Sequence, residues 1–135
     1  TTSRASAPVL AGANSYNKYI YLKFSGTFNQ ISAVKFAHTA GTLGTGISLK
    51  NKITSTYETP STSAMSGSTD ITSTTAIGSG ASVLLSTSGP NGTSPSSSQT
   101  TTCYTQYIVT QVQTTSSASA GDSGTVTLTV QYNEN

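Results

Sequence analysis

The chain has 135 residues and a formal net charge of +2; only 7% of its residues are charged, and Ser and Thr make up 50 of the 135. That length fits one domain and leaves no room for a second core. Six basic and four acidic side chains, spread along the sequence, exclude a nucleic-acid-binding stripe or a polybasic membrane anchor, and a single Cys, at position 103, excludes an internal disulfide framework.

Leu, Ile, Val and Phe together number only 24, a lean supply for a core. The low charge removes the self-repulsion that holds disordered chains open, and the apolar residues fall in a few alternating runs. A folded β domain with long polar loops accounts for both features. There is no run of about 18 apolar residues and no charged-then-apolar export pattern, so neither a membrane span nor a visible export signal is expected.

In chain order, residues 1–13 are small and polar apart from Val9 and Leu10, and are expected to form an N-terminal arm ahead of a β domain spanning 14–135. Asn14 to Phe36, NSYNKYIYLKFSGTFNQISAVKF, is the richest stretch, with all three Phe and three of the seven Tyr. From Lys18 it alternates: Lys18, Ile20, Leu22 and Phe24 share one side of an extended chain, and Tyr19, Tyr21 and Lys23 share the other. After Ser25 and Gly26, a second apolar run reaches Val34 and Phe36, which predicts two neighbouring antiparallel strands.

Gly41, Gly44 and Gly46 mark a turn. Ile47, Leu49 and Ile53 then alternate with Ser48, Lys50 and Lys52, predicting a third strand with lysines on its solvent side, and Pro60 closes that region. From Ser61 to Thr102 the sequence is dominated by Ser, Thr, Gly and Ala, with Val83-Leu84-Leu85 the best strand candidate. A loop of that length would be unusual in a compact domain, so it is a functional loop, a mobile one, or a set of weak strands that composition hides. Gly89 to Thr102, with Pro90 and Pro95, is expected to be its least ordered part.

Cys103 to Gln113 predicts a strand of bulky residues, and Thr125 to Tyr132 gives a clean alternation of Val126, Leu128, Val130 and Tyr132 against Thr125, Thr127, Thr129 and Gln131. Gly121-Asp122-Ser123-Gly124 between them predicts a hairpin turn. No helical period appears. The expected fold is all-β, a single antiparallel β-sandwich, Ig-like or jelly-roll-like, with long Ser/Thr-rich loops.

The same Gly121 to Gly124 matches the tetrapeptide around the nucleophile of chymotrypsin-like proteases, with His38 and Asp70 upstream. Thr125 and Val126 follow where that family has glycine and proline, and the chain is too short for two barrels. Catalysis is therefore not expected. One His, one Cys and four isolated carboxylates give no metal-ligand spacing, and no cofactor motif is present. Glu58 and Asp70 read as surface carboxylates, and Asn91-Gly92-Thr93 as a turn that happens to match a glycosylation sequon. The face carrying Tyr19, Tyr21 and Lys23 is the candidate for a partner contact, because tyrosines and a cation beside a core strand need either a covering element or a neighbour.

The stretches NSYNKYIYLKFSGTFNQISAVKF, TGISLK and YIVTQVQTTSSASAGDSGTVTLTVQYNEN resemble short virion proteins encoded among the structural genes of tailed bacteriophages. The likeness covers the two ends, about half the chain. It implies a non-enzymatic structural component of the particle, first of all a capsid decoration or cement protein on the outside of the head. Its partners would be the major capsid protein or other virion proteins, with assembly as a homo-oligomer, a trimer in first place, and no part for nucleic acid or membrane. A tail- or fibre-associated receptor- or carbohydrate-binding module is the alternative.

Overall fold

A computed structural model describes residues 9–119 and 124–135. It is all-β and antiparallel, as the alternating runs predict. The strands are β1 (Lys18–Ile20), β2 (Lys23–Phe24), β3 (Ile31–Ala40), β4 (Ile47–Thr54), β5 (Thr69–Asp70), β6 (Ala81–Ser82), β7 (Leu85–Ser86), β8 (Ser98–Gln99), β9 (Cys103–Thr105), β10 (Tyr107–Thr114) and β11 (Thr127–Glu134), with one short 3-10 turn at Ile77–Ser79. No helix among the described residues is long and apolar enough to cross a membrane.

The strands form two layers. In the first, β1-β10-β4-β5 and β2-β9-β7 are parts of one interrupted sheet, because β1 and β2 belong to one extended run and β9 and β10 to another. Lys18, Tyr19 and Ile20 pair with Thr110, Val109 and Ile108, whereas Lys23 and Phe24 pair with Tyr104 and Cys103. The second run therefore carries one extra residue, a β-bulge at Gln106. Its side chain closes the gap: Nε2 donates to Ser55 Oγ (3.0 Å) beyond the end of β4, and Oε1 accepts from the Leu84 amide (3.2 Å) ahead of β7.

The second layer has β3 at its centre, with β11 on one side and β6 and β8 on the other. Val83-Leu84 carries the chain between layers, since β6 pairs with β3 and β7 with β9. The core between the layers is made by Phe24, Ile31, Val34, Phe36, Val83, Leu85, Cys103 and Ile108. Ile31 and Val34 both point inward despite their odd spacing, because Ala33, at φ 51°, takes the left-handed conformation and inserts an extra residue opposite β11.

Several expectations are corrected. The runs ending at Phe24 and Phe36 are not paired neighbours: β1 and β2 pair with β10 and β9, and β3 lies in the opposite layer. Residues 25–30 cross between the layers, and Asn29 and Gln30 amides both donate to the Asn135 carbonyl. The stretches around Gly121 to Gly124 do not make a hairpin, since β10 and β11 also fall in different layers; Gly121, Asp122 and Ser123 themselves lie outside the described residues. Ile20, on the apolar side of its strand, is 38% exposed because β1 is a sheet edge.

The Ser/Thr-rich middle contains four two-residue strands, including β8 and a Leu85–Ser96 bridge in its proline-containing part. Of the expected arm, Leu10 to Ala13 runs beside the end of β10, where the Gly12 amide donates to the Thr115 carbonyl (3.0 Å) and Thr114 Oγ1 to the Leu10 carbonyl (2.7 Å). Residues 1–8 lie outside the described residues.

Candidate tyrosine face

The first layer turns its outer side away from the core, and five of the seven tyrosines gather there. Tyr19 lies 4.9 Å from Tyr57 and 5.7 Å from Tyr107, centroid to centroid. Tyr21 lies 6.0 Å from Tyr107 and 6.2 Å from Tyr104, and Tyr57 is 5.8 Å from Tyr107. Lys23 Nζ sits 5.7 Å from the centre of the Tyr104 ring, within cation–π range. The three residues expected to form a contact, Tyr19, Tyr21 and Lys23, are thus on one face, and Tyr57, Tyr104 and Tyr107 join them.

The three additions explain why alternation alone missed them. Tyr104 and Tyr107 are three apart, which in an unbroken strand places them on opposite faces; the bulge at Gln106 puts both on the outer one. Tyr57 arrives from a loop that folds back over the sheet, a long-range event with no local sequence signal.

That loop is held by buried polar side chains on the outer face. Gln111, 1% exposed, donates from Nε2 to the carbonyls of Ser15 (3.0 Å) and Ser63 (2.9 Å), and its Oε1 accepts from the Met65 amide (3.1 Å) and Gln113 Nε2 (3.0 Å). Asn17, also buried, accepts from the Ser61 amide at Oδ1 (2.7 Å), while its own amide donates to the Ser61 carbonyl (3.2 Å). Every donor and acceptor of the Gln111 amide is engaged, as a buried polar group requires. Half of the outer face is therefore covered by chain; the half with Tyr21 and Lys23 is open.

Tyr21 is 51% exposed and Tyr57 56%. Burial, with the Glu58 carboxylate adding to it, raises the Tyr19 phenol above its ordinary value, so the hydroxyl stays neutral and available for hydrogen bonding. Neighbouring rings are inclined to each other by 52° to 86°. The surface is ridged, with edges and faces alternating, and offers hydroxyls, apolar ring faces and one ammonium group.

The residues that echoed a protease triad are placed otherwise. His38 is buried, with Nδ1 2.9 Å from the Ile71 carbonyl oxygen and Nε2 2.8 Å from that of Ala40. Asp70 is bound to Lys50 Nζ at 2.6 Å and accepts from the Thr72 amide at 2.8 Å. The Lys50 side chain and the Thr72 hydroxyl and amide hold its carboxyl down at about 2. His38 and Asp70 do border one crevice of about 290 Å³, with Asn51 and Ile71, but their polar atoms are committed to the fold, and Asn51 Nδ2 donates to the Val109 carbonyl (3.2 Å). Ser123 lies outside the described residues. Cys103 is fully buried, and burial pushes its thiol up. Comparison with family models, with curated proteins and with solved structures gave no match.

Proposed function

We propose that this chain is a non-enzymatic structural protein of a phage virion, a decoration or cement protein on the outer surface of the head, which meets its neighbour through the tyrosine face. The observation that carries this reading is the ring-to-ring cluster of Tyr19, Tyr21, Tyr57, Tyr104 and Tyr107, with Tyr21 and Tyr57 more than half exposed. Tyrosines are enriched at protein interfaces because each brings a large apolar area, a hydrogen-bonding tip and few rotatable bonds. The inclination between rings favours a protein surface of matching relief.

The rest of the molecule supports a lattice role. With 7% charged residues it has little long-range steering, and modest contacts repeated over a symmetric array give the avidity a lone copy lacks. The partners under this reading are the major capsid protein or other virion proteins and further copies of the chain; the resemblance puts a trimer first, and the reading does not depend on that number. The site of action is the virion, assembled in the host cytoplasm, with no role for nucleic acid or membrane.

The test is quantitative mass spectrometry of purified particles combined with head binding by a Tyr21→Ser, Tyr57→Ser double variant. Hundreds of copies per particle are expected, with a loss of occupancy of about tenfold or more in the variant, the usual scale for removing two exposed aromatic anchors. Absence from the particle, or a few copies only, overturns the reading. A receptor- or carbohydrate-binding module on a tail or fibre is favoured by one observation, the half-exposed Tyr21 ring next to Tyr104, over which Lys23 lies. Glycan-array binding together with a low copy number would select it.

A further inference from the structure

We propose that the outer edge of β11 docks a second copy of this chain, the two β11 strands pairing antiparallel about a two-fold axis at Val130. The proposal does not rest on the virion reading and uses a different surface from the tyrosine face.

β11 pairs with β3 on one side, and among the described residues no strand pairs with the other. Free edges are normally blunted by shortness, lysine, proline or a bulge. β11 has none of these. It is eight residues long, TLTVQYNE, without Lys or Pro. The two irregularities in its ladder place the extra residues on β3: from Thr127 to Leu128 the partner moves from Ala40 to His38, and from Gln131 to Asn133 it moves from Lys35 to Ser32. The other edges are protected: β1 has three residues, β5 to β8 two each, and β4 carries Lys50 and Lys52.

The core side of β11 is also unfinished. Val130 packs against the core and Tyr132 against Phe24 (4.8 Å between rings), yet Leu128 remains 37% exposed and Tyr132 41%. These residues face inward and are still wet because the sheet stops at their strand. One more strand would cover their flank.

The sequence of β11 fits its own copy as that strand. Antiparallel pairing centred on Val130 sets Val130 against Val130, Leu128 against Tyr132, Thr129 against Gln131 and Thr127 against Asn133. Apolar residues then meet apolar ones on the inner side, and polar meet polar on the outer, the cross-strand pairing that stabilises sheets. Glu134, the one charge in the strand, falls opposite Val126, and the two Glu134 side chains are separated by about 27 Å along the strands. Parallel pairing would bring them together. The product is a continuous sheet through two molecules, with an isologous interface.

The experiment measures the mass of the purified chain by light scattering and sedimentation across micromolar to submillimolar concentration. A species of twice 13.7 kDa is expected, and Leu128→Lys, which sets a charge against Tyr132 of the second copy, should weaken it at least about tenfold. A second measurement holds even if that variant fails to fold. Thr129→Cys and Gln131→Cys are prepared separately and oxidised so that only a direct disulfide can form, alone and mixed. Only the mixture should give a linked pair, because position 129 lies directly opposite 131, whereas 129 and 129, or 131 and 131, are diagonal neighbours about 7–8 Å apart and beyond disulfide reach. A monomer throughout, a trimeric mass, or a linked pair within either variant alone overturns the proposal, and a trimeric mass leaves the virion reading standing.

Discussion

Gln111→Met isolates what holds the tyrosine face in shape. The substitution keeps the length and most of the volume of the side chain but removes its four hydrogen bonds, leaving the Ser15 and Ser63 carbonyls and the Met65 amide without that partner. A buried group left unpaired costs about 1–3 kcal/mol. Ser63 is exposed and Ser15 half-buried, so water can replace the amide at those carbonyls. The penalty therefore falls mainly on the half-buried Met65 amide and on lost packing of the 61–65 loop, about 2–3 kcal/mol in all. With a urea slope of about 1–3 kcal/mol per molar for a chain of this size, the unfolding midpoint should drop by about 1 M. Because the same loop brings Tyr57 onto Tyr19 and Tyr107, the near-ultraviolet circular dichroism of the tyrosines should weaken under native conditions. A Gln111→Met protein within about 0.5 kcal/mol of wild type, with its tyrosine spectrum intact, would refute the idea that Gln111 clamps the loop.

Three further outcomes are expected. Asp70 has a folded-state value lowered from 3.8 to about 2, so its pairing with Lys50 stabilises the protein above pH 4 and is lost as pH falls from about 4 through about 2. Asp70 is 55% exposed, so Asp70→Asn should cost only about 0.5–1 kcal/mol near neutrality, with the difference from wild type vanishing in an acid titration of stability. Ala33, exposed and at φ 51°, should gain about 0.5–1 kcal/mol on change to Gly and lose stability on change to Val, read by thermal unfolding. Cys103, fully buried with its thiol pushed up, should react with a disulfide reagent only as fast as the protein opens, and at once in denaturant.

The sheet periodicity of this chain was legible because alternation is local: Lys18 to Phe24, Ile47 to Ile53 and Thr125 to Tyr132 each show a period of two, and each is strand in whole or part. The outward placement of Tyr19, Tyr21 and Lys23 followed from the same rule. Strand partners were not legible. Asn14 to Phe36 read as a hairpin because its two runs are neighbours in sequence, yet each strand found a better-matched apolar partner in a different layer, Ile108 and Cys103 for one and Val130 for the other. The short strands between Thr69 and Gln99 were hidden for a different reason. Each contributes two residues to a ladder already set by β3, β4 or β9, so the pairing comes from the established strand and requires no apolar pattern of its own.

By itself, the sequence determined an all-β molecule with a lean core, a strand with tyrosines on its outer side, and the absence of a recognisable catalytic or metal-binding pattern, since these depend on residue type and on spacing within a few positions. The tertiary structure decided what gathers on that outer side. The bulge at Gln106 turns Tyr104 and Tyr107 the same way, and Gln111 ties down the loop that carries Tyr57. Both are consequences of contacts between residues more than forty positions apart, made within the first layer and on its outer face, and no local pattern encodes them.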